Sequence, residues 1–227
     1  MAAKKAEQKV EINIKPLEFE RVEITLEGET PLIMHAWAEK AKKEMLAAQQ
    51  GTKKGKAKKI RNPVDEFINS MYWLTEKPEY PEETSEEECM RLFDEAIERG
   101  AKFGFPATSF KQAAIASAYR MGWVKNMVVL RGVFFLESPW GEFLEIKSDK
   151  PVMREDMVKL ALGTADLRYR GEFRNWSTSF VLRYLKSGEF SLENIINIIN
   201  AGGQFCGAGE WRVEKDGDFG RFHVKTD

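Results

Sequence analysis

The sequence predicts an α+β fold in which strands and helices follow the order strand, helix, strand, strand, helix, strand. Residues 19–26 alternate apolar and polar side chains, as a half-buried strand does, and residues 174–185 repeat the pattern. Ser191 is a capping residue, and the isoleucines that follow it at helical spacing predict a helix over residues 191–201. These three patterns together predict a mixed fold.

The remaining main elements are a helix, a strand and a closing strand. Ser109 and Gln112 have the spacing of a capping box, and the alanine-rich run behind them predicts a slim helix over residues 109–121. The run MVVLRGVFFL at residues 127–136 is continuous enough for a central strand, and residues 218–225 close the sheet. Weaker patterns predict an edge strand at 10–14, a hairpin partner or short return strand at 142–147, and a small helix at 155–162.

The six strong elements give the βαββαβ order of a ferredoxin-like, or RRM-like, domain, with its helices on one face of the sheet. Residues 1–227 then form one domain, and residues 36–104 are a large helical insertion after the first strand. The insertion contains a predicted basic flexible loop at residues 51–61 and a predicted acidic helix at 84–99. Further helices are predicted at residues 36–50 and from the Asn62–Pro63 pair.

The composition is typical of a globular protein without a membrane span. Of the 227 residues 43% are hydrophobic, and no apolar run approaches the roughly 18–20 residues that a membrane helix needs. The first nine residues lack the apolar stretch of a secretory signal, so we expect a cytoplasmic location. In a reducing cytosol Cys89 and Cys206 are expected to be free thiols, with a single disulfide as the alternative.

Charge is distributed unevenly, although the net charge is only −1. Nine Lys or Arg residues and one acid lie between Lys40 and Arg61, and ten acids and two bases lie between Glu76 and Glu98. A phosphate backbone responds to the local field, so the basic block is a candidate contact for nucleic acid. The alternative is that both blocks are solvated surfaces.

No catalytic motif is present, so the sequence predicts a protein that is not an enzyme and has no cofactor. His35 and His223 are far apart and have no cysteines or carboxylates at metal-ligand spacing, so no metal site is predicted. Acidic residues are abundant, but no spacing singles out a pair for hydrolysis or for Mg²⁺.

A glycine-rich segment, GGQFCGAGEWRVEKDGDFG, spans residues 202–220. Glycines allow close backbone approach, and exposed N–H groups beside a helix end can bind phosphate oxygens. Trp211 and Arg212 add a stacking face and a positive charge. The alternative is a tight turn in which Gly202 ends the preceding helix.

Two further segments are candidate contacts for single strands. In LRYRGEFRNW, at residues 167–176, arginines alternate with aromatic residues. Arginines can neutralise phosphates and aromatic rings can stack on unpaired bases, so the pattern suits single-stranded nucleic acid. The alternative is that the aromatic residues face a core while the arginines are solvated. The second segment is the basic loop, for which a flexible linker is the alternative. The candidate residues of the two segments are Arg168, Arg170, Arg174 and Trp176, and Lys53, Lys54, Lys56, Lys58, Lys59 and Arg61.

Three stretches of the sequence resemble the RAMP superfamily, the RRM-related backbone proteins of CRISPR effector complexes. They are ITLEGETPLIMHAW, FGFPATSFKQAAIASAYR and GGQFCGAGEWRVEKDGDFGRFHV, of which the last is the most specific. The sequence also resembles the compact stand-alone RAMP-like proteins that occur in phage genomes. The resemblance departs at two points: the chain is short for a CRISPR backbone subunit, and the loop aspartate with which several members cleave RNA has no match.

The resemblance implies a core that binds single strands and assembles side by side along them. It implies that loop 53–59 replaces a projecting β-hairpin or thumb, and that five residues lie near the strand: Ser109, Lys111, Gly207, Gly209 and Arg212. The predicted function is therefore non-catalytic binding of single-stranded RNA or DNA, as a homo-oligomer or as a subunit of a nucleoprotein complex. The alternative is a protein-interaction module, such as a phage inhibitor that mimics a CRISPR subunit; a metal-dependent nuclease is a third hypothesis.

Overall fold

The computed structural model describes residues 16–37, 45–47, 49–50, 61–159 and 163–226. Its strands are β1 (Phe19–Gly28), β2 (Leu32–Met34), β3 (Tyr72–Trp73), β4 (Phe103–Pro106), β5 (Phe134–Glu137), β6 (Phe143–Ile146), β7 (Val152–Lys159), β8 (Ala165–Phe173), β9 (Ser177–Leu185) and β10 (Phe222–Val224). Its helices are α1 (Pro63–Asn69), α2 (Glu86–Glu98), α3 (Ala107–Arg120), α4 (Met127–Arg131) and α5 (Leu192–Phe205), with a short 3₁₀ turn at Val213–Lys215. Within these residues every helix is too short or too polar to cross a bilayer. The predicted edge strand at 10–14 and loop residues 51–60 lie outside the described residues.

The main sheet contains β10, β1, β9 and β5 in that spatial order, and each neighbouring pair is antiparallel. Alternation along the strands buries Ile24 and Leu26 of β1 and Leu182 of β9 on one face. Arg21 and Glu23 lie on the opposite, exposed face. The strands predicted at residues 19–26 and 174–185 are thus confirmed as β1 and β9.

Helices α3 and α5 pack in the same core as the buried face of the main sheet. The ring of Phe110 in α3 lies 5.4 Å from the ring of Phe222 in β10, and Ile195 and Ile199 of α5 are buried. The predicted cap of α5 is confirmed, because the Asn194 N–H donates to the Ser191 hydroxyl at 3.2 Å.

Helix α5 does not end at Gly202, as the sequence predicts, but continues to Phe205. A Cβ on Gly202 would lie 2.6 Å from the backbone nitrogen of Ala114 in α3, and one on Gly203 would lie 1.8 Å from the carbonyl oxygen of Phe222. Close packing of α5 against α3 and β10 therefore explains both glycines. The first four residues of the predicted glycine-rich loop are helical.

The run at residues 127–136 is not one central strand. Met127–Arg131 forms α4, capped by the Asn126 side chain, which accepts a hydrogen bond from the Val128 N–H at 2.9 Å. Only Phe134–Glu137 is a strand, and it lies at the edge of the main sheet. The prediction was wrong because a short apolar run has no period that separates a buried strand from a helix.

Two smaller antiparallel sheets accompany the main one, with the orders β2-β8-β7 and β3-β4-β6. The helix predicted at residues 155–162 is wrong, because Val152–Lys159 is a strand that pairs with β8 along its whole length. The strand predicted at residues 142–147 exists as β6, but its partner is β4.

The insertion contains the predicted helices α1 and α2. Asn62 caps α1 by accepting from the Asp65 N–H at 3.0 Å, and Ser85 caps α2 by accepting from the Glu88 N–H at 3.2 Å. The two helices pack through Phe67 and Phe93, whose rings lie 5.1 Å apart. Of the helix predicted at residues 36–50, residues 45–47 are helical and residues 36–37 are not.

Candidate functional site

A groove of about 600 Å³ lies between the first turns of α3 and the loop that follows α5. We call it the α3 groove. Its lining includes all five residues that the resemblance places near a bound nucleic-acid strand, namely Ser109, Lys111, Gly207, Gly209 and Arg212. His35 and Arg131 also line the groove. Residues from distant parts of the sequence therefore meet at one surface.

The loop wall of the α3 groove is shaped by glycines with left-handed backbone conformations. Gly207 has φ +72° and Gly209 has φ +80°, and a Cβ on Gly209 would lie 2.4 Å from the Ile33 carbonyl oxygen. The N–H of Gly207 donates to Gly202 O at 2.9 Å, and the N–H of Glu210 donates to Ile33 O at 3.0 Å. These N–H groups are engaged within the fold, so the glycines shape the wall and the predicted phosphate binding through their N–H groups has no support here.

Lys111 supplies a positive charge that no carboxylate neutralises within the described residues. Its Nζ atom donates to Arg131 O at 2.7 Å and lies 4.4 Å from the centre of the Phe135 ring. Burial lowers the pKa of the Lys111 ammonium, and no charged neighbour contributes to this shift. An ammonium has three N–H donors, so Lys111 can still donate to an anion in the groove.

The first turn of α3 adds a second source of positive potential. Ser109 is not the helix cap that the sequence predicts, because α3 begins two residues earlier, at Ala107, after Pro106. The Ala107 N–H donates to Glu142 O at 2.9 Å, and no side chain caps the turn. A helix N-terminus carries a partial positive charge on N–H groups without intrahelical partners, and Thr108 and Ser109 line the groove at this point.

The other charged residues of the groove are partly paired. Arg212 donates to Gly209 O at 3.0 Å and to the Glu214 carboxylate at 2.8 Å, and Glu214 also pairs with Arg120. Burial alone would raise the pKa of Glu214, but hydrogen bonds from the two arginines outweigh it and lower that pKa to about 2. Arg131 is exposed and has no carboxylate within ion-pair distance in the described part of the chain. Lys111 and Arg131 are therefore the cations most available to a ligand.

His35 lies at the end of the groove beside Arg170 and Glu210. Its Nδ1 atom is 3.5 Å from the Arg170 guanidinium and 3.9 Å from the Glu210 carboxylate. Burial, and then the nearby Arg170, lower the pKa of His35, so the imidazole is neutral at pH 7. Sequence reasoning missed His35, which lies within the first stretch of the family resemblance, and it missed Arg131 because α4 was predicted as a strand.

Trp176 cannot stack on a base, because it is a core residue. It is 2% exposed, its Nε1 donates to Thr30 O at 2.8 Å, and a Cβ on Gly28 would lie 2.2 Å from that nitrogen. Phe173, in the same segment, is also fully buried. The alternative in which aromatics of residues 167–176 face a core is correct for these two side chains.

The arginines in β8 and directly after it are paired with carboxylates. Arg170 is 5% exposed and pairs with Asp156 at 3.2 Å and Glu210 at 3.4 Å. It is therefore an interior group that nucleic acid cannot reach. Arg168 pairs with Asp166 at 3.0 Å and Arg174 with Glu172 at 2.7 Å. Arg168 and Arg174 keep part of their surface, but each reaches a phosphate only in competition with its carboxylate.

Two of the remaining candidates, Arg61 and Trp211, do not line the α3 groove. Arg61 pairs with Glu66 and Asp166, both at 2.6 Å, and so ties the start of α1 to β8. Trp211 is partly exposed, with φ +51°, and does not line the groove. The five lysines of the predicted basic loop lie outside the described residues: Lys53, Lys54, Lys56, Lys58 and Lys59.

Both cysteines are free and buried. Burial, and then Glu214, raise the pKa of Cys206 to about 11, and burial raises the pKa of Cys89. No group of three His, Cys, Asp or Glu side chains placed to hold a metal ion occurs in the described part of the chain.

The sequence matches no model of a known protein family, and no curated protein matches it. The functional argument therefore depends on the residues and geometry of the α3 groove.

Proposed function

We propose that this chain binds single-stranded nucleic acid, RNA or DNA, through the α3 groove, without catalysis. The observation that carries the proposal is Lys111, a partly buried ammonium with no carboxylate partner in the described residues, at the uncapped N-terminus of α3. A phosphate oxygen placed here meets a desolvated cation, the helix dipole and the exposed Arg131. Burial strengthens these attractions relative to bulk water.

The proposal includes a ferredoxin-like, RAMP-type core. Along the chain, β1, α3, β5, β9, α5 and β10 follow the βαββαβ order, and their strands form one antiparallel sheet. The three stretches that resemble the RAMP superfamily contribute His35, the first turns of α3 and the glycine-rich loop to the same groove. This convergence supports a common binding role and, by the same resemblance, assembly of several copies along one strand.

Fluorescence anisotropy with labelled 30-mer RNA and DNA at low salt tests the proposal. Lys111→Met keeps the side-chain length but removes a charged donor, whose loss costs about 1.5–3 kcal/mol, or roughly ten- to hundredfold in Kd. It is also expected to lower the slope of log K against log salt by about 0.7, the contribution of one phosphate contact on a single strand. Lys186→Met removes the same charge after β9, away from the groove, and serves as the matched control.

Two results would contradict the proposal. The first is absence of binding to either strand at low salt; the second is Lys111→Met binding as tightly as the control while both melt at the wild-type temperature. Cleavage of the strand in Mg²⁺ or Mn²⁺, seen on a gel, would overturn the non-catalytic part and favour a nuclease.

An exposed acidic surface on α2 favours a second candidate function, an interaction module for a basic protein. Glu86, Glu87, Asp94 and Glu98 lie along one shallow surface of this helix. Double charge reversal, Glu87→Lys with Glu98→Lys, would abolish such an interaction but leave strand binding through the α3 groove intact. Co-purification of the wild type with a host complex free of nucleic acid, lost in the reversal variant, would favour this function.

A further inference from the structure

A second cavity, of about 570 Å³, adjoins the α3 groove and has aromatic walls. We call it the aromatic cavity. Tyr72 lines both spaces, and the segment at residues 35–37 spans them, with His35 in the groove and Trp37 in the cavity. The two spaces therefore meet at Tyr72, within reach of one chain-like ligand.

The inner walls of the aromatic cavity are fixed by packing. The Tyr72 ring lies 5.5 Å from Phe143 and stands edge-on to Phe105 at 5.7 Å. Trp73 donates through Nε1 to Ile68 O at 2.9 Å and packs against Phe103 at 4.7 Å. Rings held in this way lose little conformational entropy when a flat ligand binds against them.

Trp37 differs from these rings because it is 56% exposed while it lines the same cavity. The backbone of the preceding residue is fixed, because the Ala36 N–H donates to Ser70 O at 2.7 Å. A large indole exposed to water beside an aromatic cavity gains apolar contact when a ligand covers it. A planar ligand provides that cover.

The charges of the aromatic cavity favour an uncharged ligand over a phosphate. Lys77 donates to Asn69 Oδ1 at 2.6 Å, and Glu142 also lines the cavity, so the lining carries one cation and one carboxylate. The ammonium of Lys77 can still donate to a ring nitrogen or carbonyl, and Glu142 can accept from an exocyclic amino group. Nucleobases carry both kinds of polar edge on a flat π-system.

We infer that the aromatic cavity binds one unpaired nucleobase of the strand whose phosphate lies in the α3 groove. The inference rests on the proposed function, because the groove supplies the phosphate contact that delivers the base. Trp37 and Tyr72 provide the stacking surfaces, and Lys77 and Glu142 provide the polar edges. Double-stranded nucleic acid presents a base in this way only after unpairing and flipping it, which costs free energy, so the cavity also favours single strands.

Paired ligands with and without bases test the inference. Anisotropy is measured with a labelled single-stranded 30-mer and with the same strand made abasic, which keeps every phosphate. Stacking of one base contributes roughly five- to hundredfold in affinity, so wild-type protein should prefer the base-containing strand by at least about fivefold. Trp37→Ala should remove most of this preference while its affinity for the abasic strand stays at the wild-type value.

Two variants control for the ring itself and for exposed tryptophan in general. Trp37→Phe keeps an aromatic face and should restore most of the preference. Trp123→Ala removes a similarly exposed indole after the C-terminus of α3, a 14-residue helix about 20 Å long, and should leave the preference unchanged.

Four outcomes decide the inference. Equal wild-type binding of both strands refutes the base site while leaving the phosphate site in place, and so does a Trp37→Ala variant that keeps the full preference. Absence of binding to both strands refutes the proposed function together with the inference. A preference lost in Trp37→Ala and kept in Trp123→Ala supports the inference.

Discussion

Substitution of the glycines in α5 tests how closely this helix packs on its neighbours. In an exposed helix, Gly→Ala stabilises by up to about 1 kcal/mol, because alanine has the higher helix propensity. At Gly202 the new Cβ would lie 2.6 Å from the Ala114 backbone nitrogen, and at Gly203 it would lie 1.8 Å from the Phe222 carbonyl oxygen. Backbone atoms of a helix and a strand cannot move aside as a side-chain tip can, so both elements must shift.

Overpacking of this kind costs about 1–3 kcal/mol, which exceeds the gain in helix propensity. We therefore expect Gly202→Ala to lower the free energy of unfolding by about 1–2 kcal/mol, and Gly203→Ala to lower it by more. Gly132→Ala is the matched control, since its Cβ meets nothing within 4 Å and its φ is −97°. Urea unfolding of the three variants gives the comparison. A Gly202→Ala protein as stable as the control would refute the close approach of α5 to α3.

Three further predictions concern caps, buried charge and pH. Ser85→Ala should lower the free energy of unfolding by about 1 kcal/mol, because it removes the cap of α2. Ser109→Ala should change the free energy of unfolding little, because Ser109 does not cap α3. Equal effects of the two substitutions in thermal melts would contradict the helix start at Ala107. Arg170→Met removes one of the two arginine partners of Asp156, which keeps Arg154 at 2.8 Å, and also the contact with the part-exposed Glu210. The loss of these charged hydrogen bonds should cost about 1.5–3 kcal/mol in urea unfolding, against less than about 1 kcal/mol for the exposed Arg174→Met. The reverse order would exclude the interior position of Arg170. The pKa of Glu214 falls from its usual 4.5 to about 2 on folding, so the stability that Glu214 contributes is complete above pH 4.5 and is lost as pH falls toward 2. The difference in free energy of unfolding between wild type and Glu214→Gln should therefore shrink over that range. A constant difference from pH 6 to pH 2.5 would be inconsistent with the arginine pairing.

Local patterns in the sequence were sufficient where one face of an element is buried and the other is exposed. β1, β9, α2 and α5 follow this rule, and the alternation or helical spacing of their apolar residues predicts them. The rule fails for the run from Met127, where an apolar stretch holds α4, a break at Gly132 and β5 in succession. It fails again at β7, whose charged residues are matched by charges on β8, so that a polar stretch forms a strand through long-range pairing.

The sequence identified some residues of the α3 groove but not their surroundings. The resemblance singled out Ser109, Lys111, Gly207, Gly209 and Arg212, which line one groove, whereas it did not single out His35 and Arg131, which line the same groove. Their individual surroundings depend on tertiary contacts that no local pattern encodes. The N–H groups of Gly207 and Glu210 are engaged by Gly202 and Ile33, and Lys111 has surroundings set by Arg131 and Phe135.

The ion pairs of Arg168 in β8 and of Arg174, which follows β8, have a consequence for the ionic-strength dependence of any bound nucleic acid. A phosphate that contacts Arg174 lies beside the Glu172 carboxylate, which is paired with both Arg174 and Arg154. This carboxylate offsets part of the positive charge that the phosphate meets, so such a contact adds less to the salt slope than a contact with an unpaired cation. Cations without a carboxylate partner in the described residues, such as Lys111 and Arg131, contribute in full. Nucleic acid held mainly by Arg168 and Arg174 would therefore depend less steeply on salt concentration than nucleic acid held in the α3 groove.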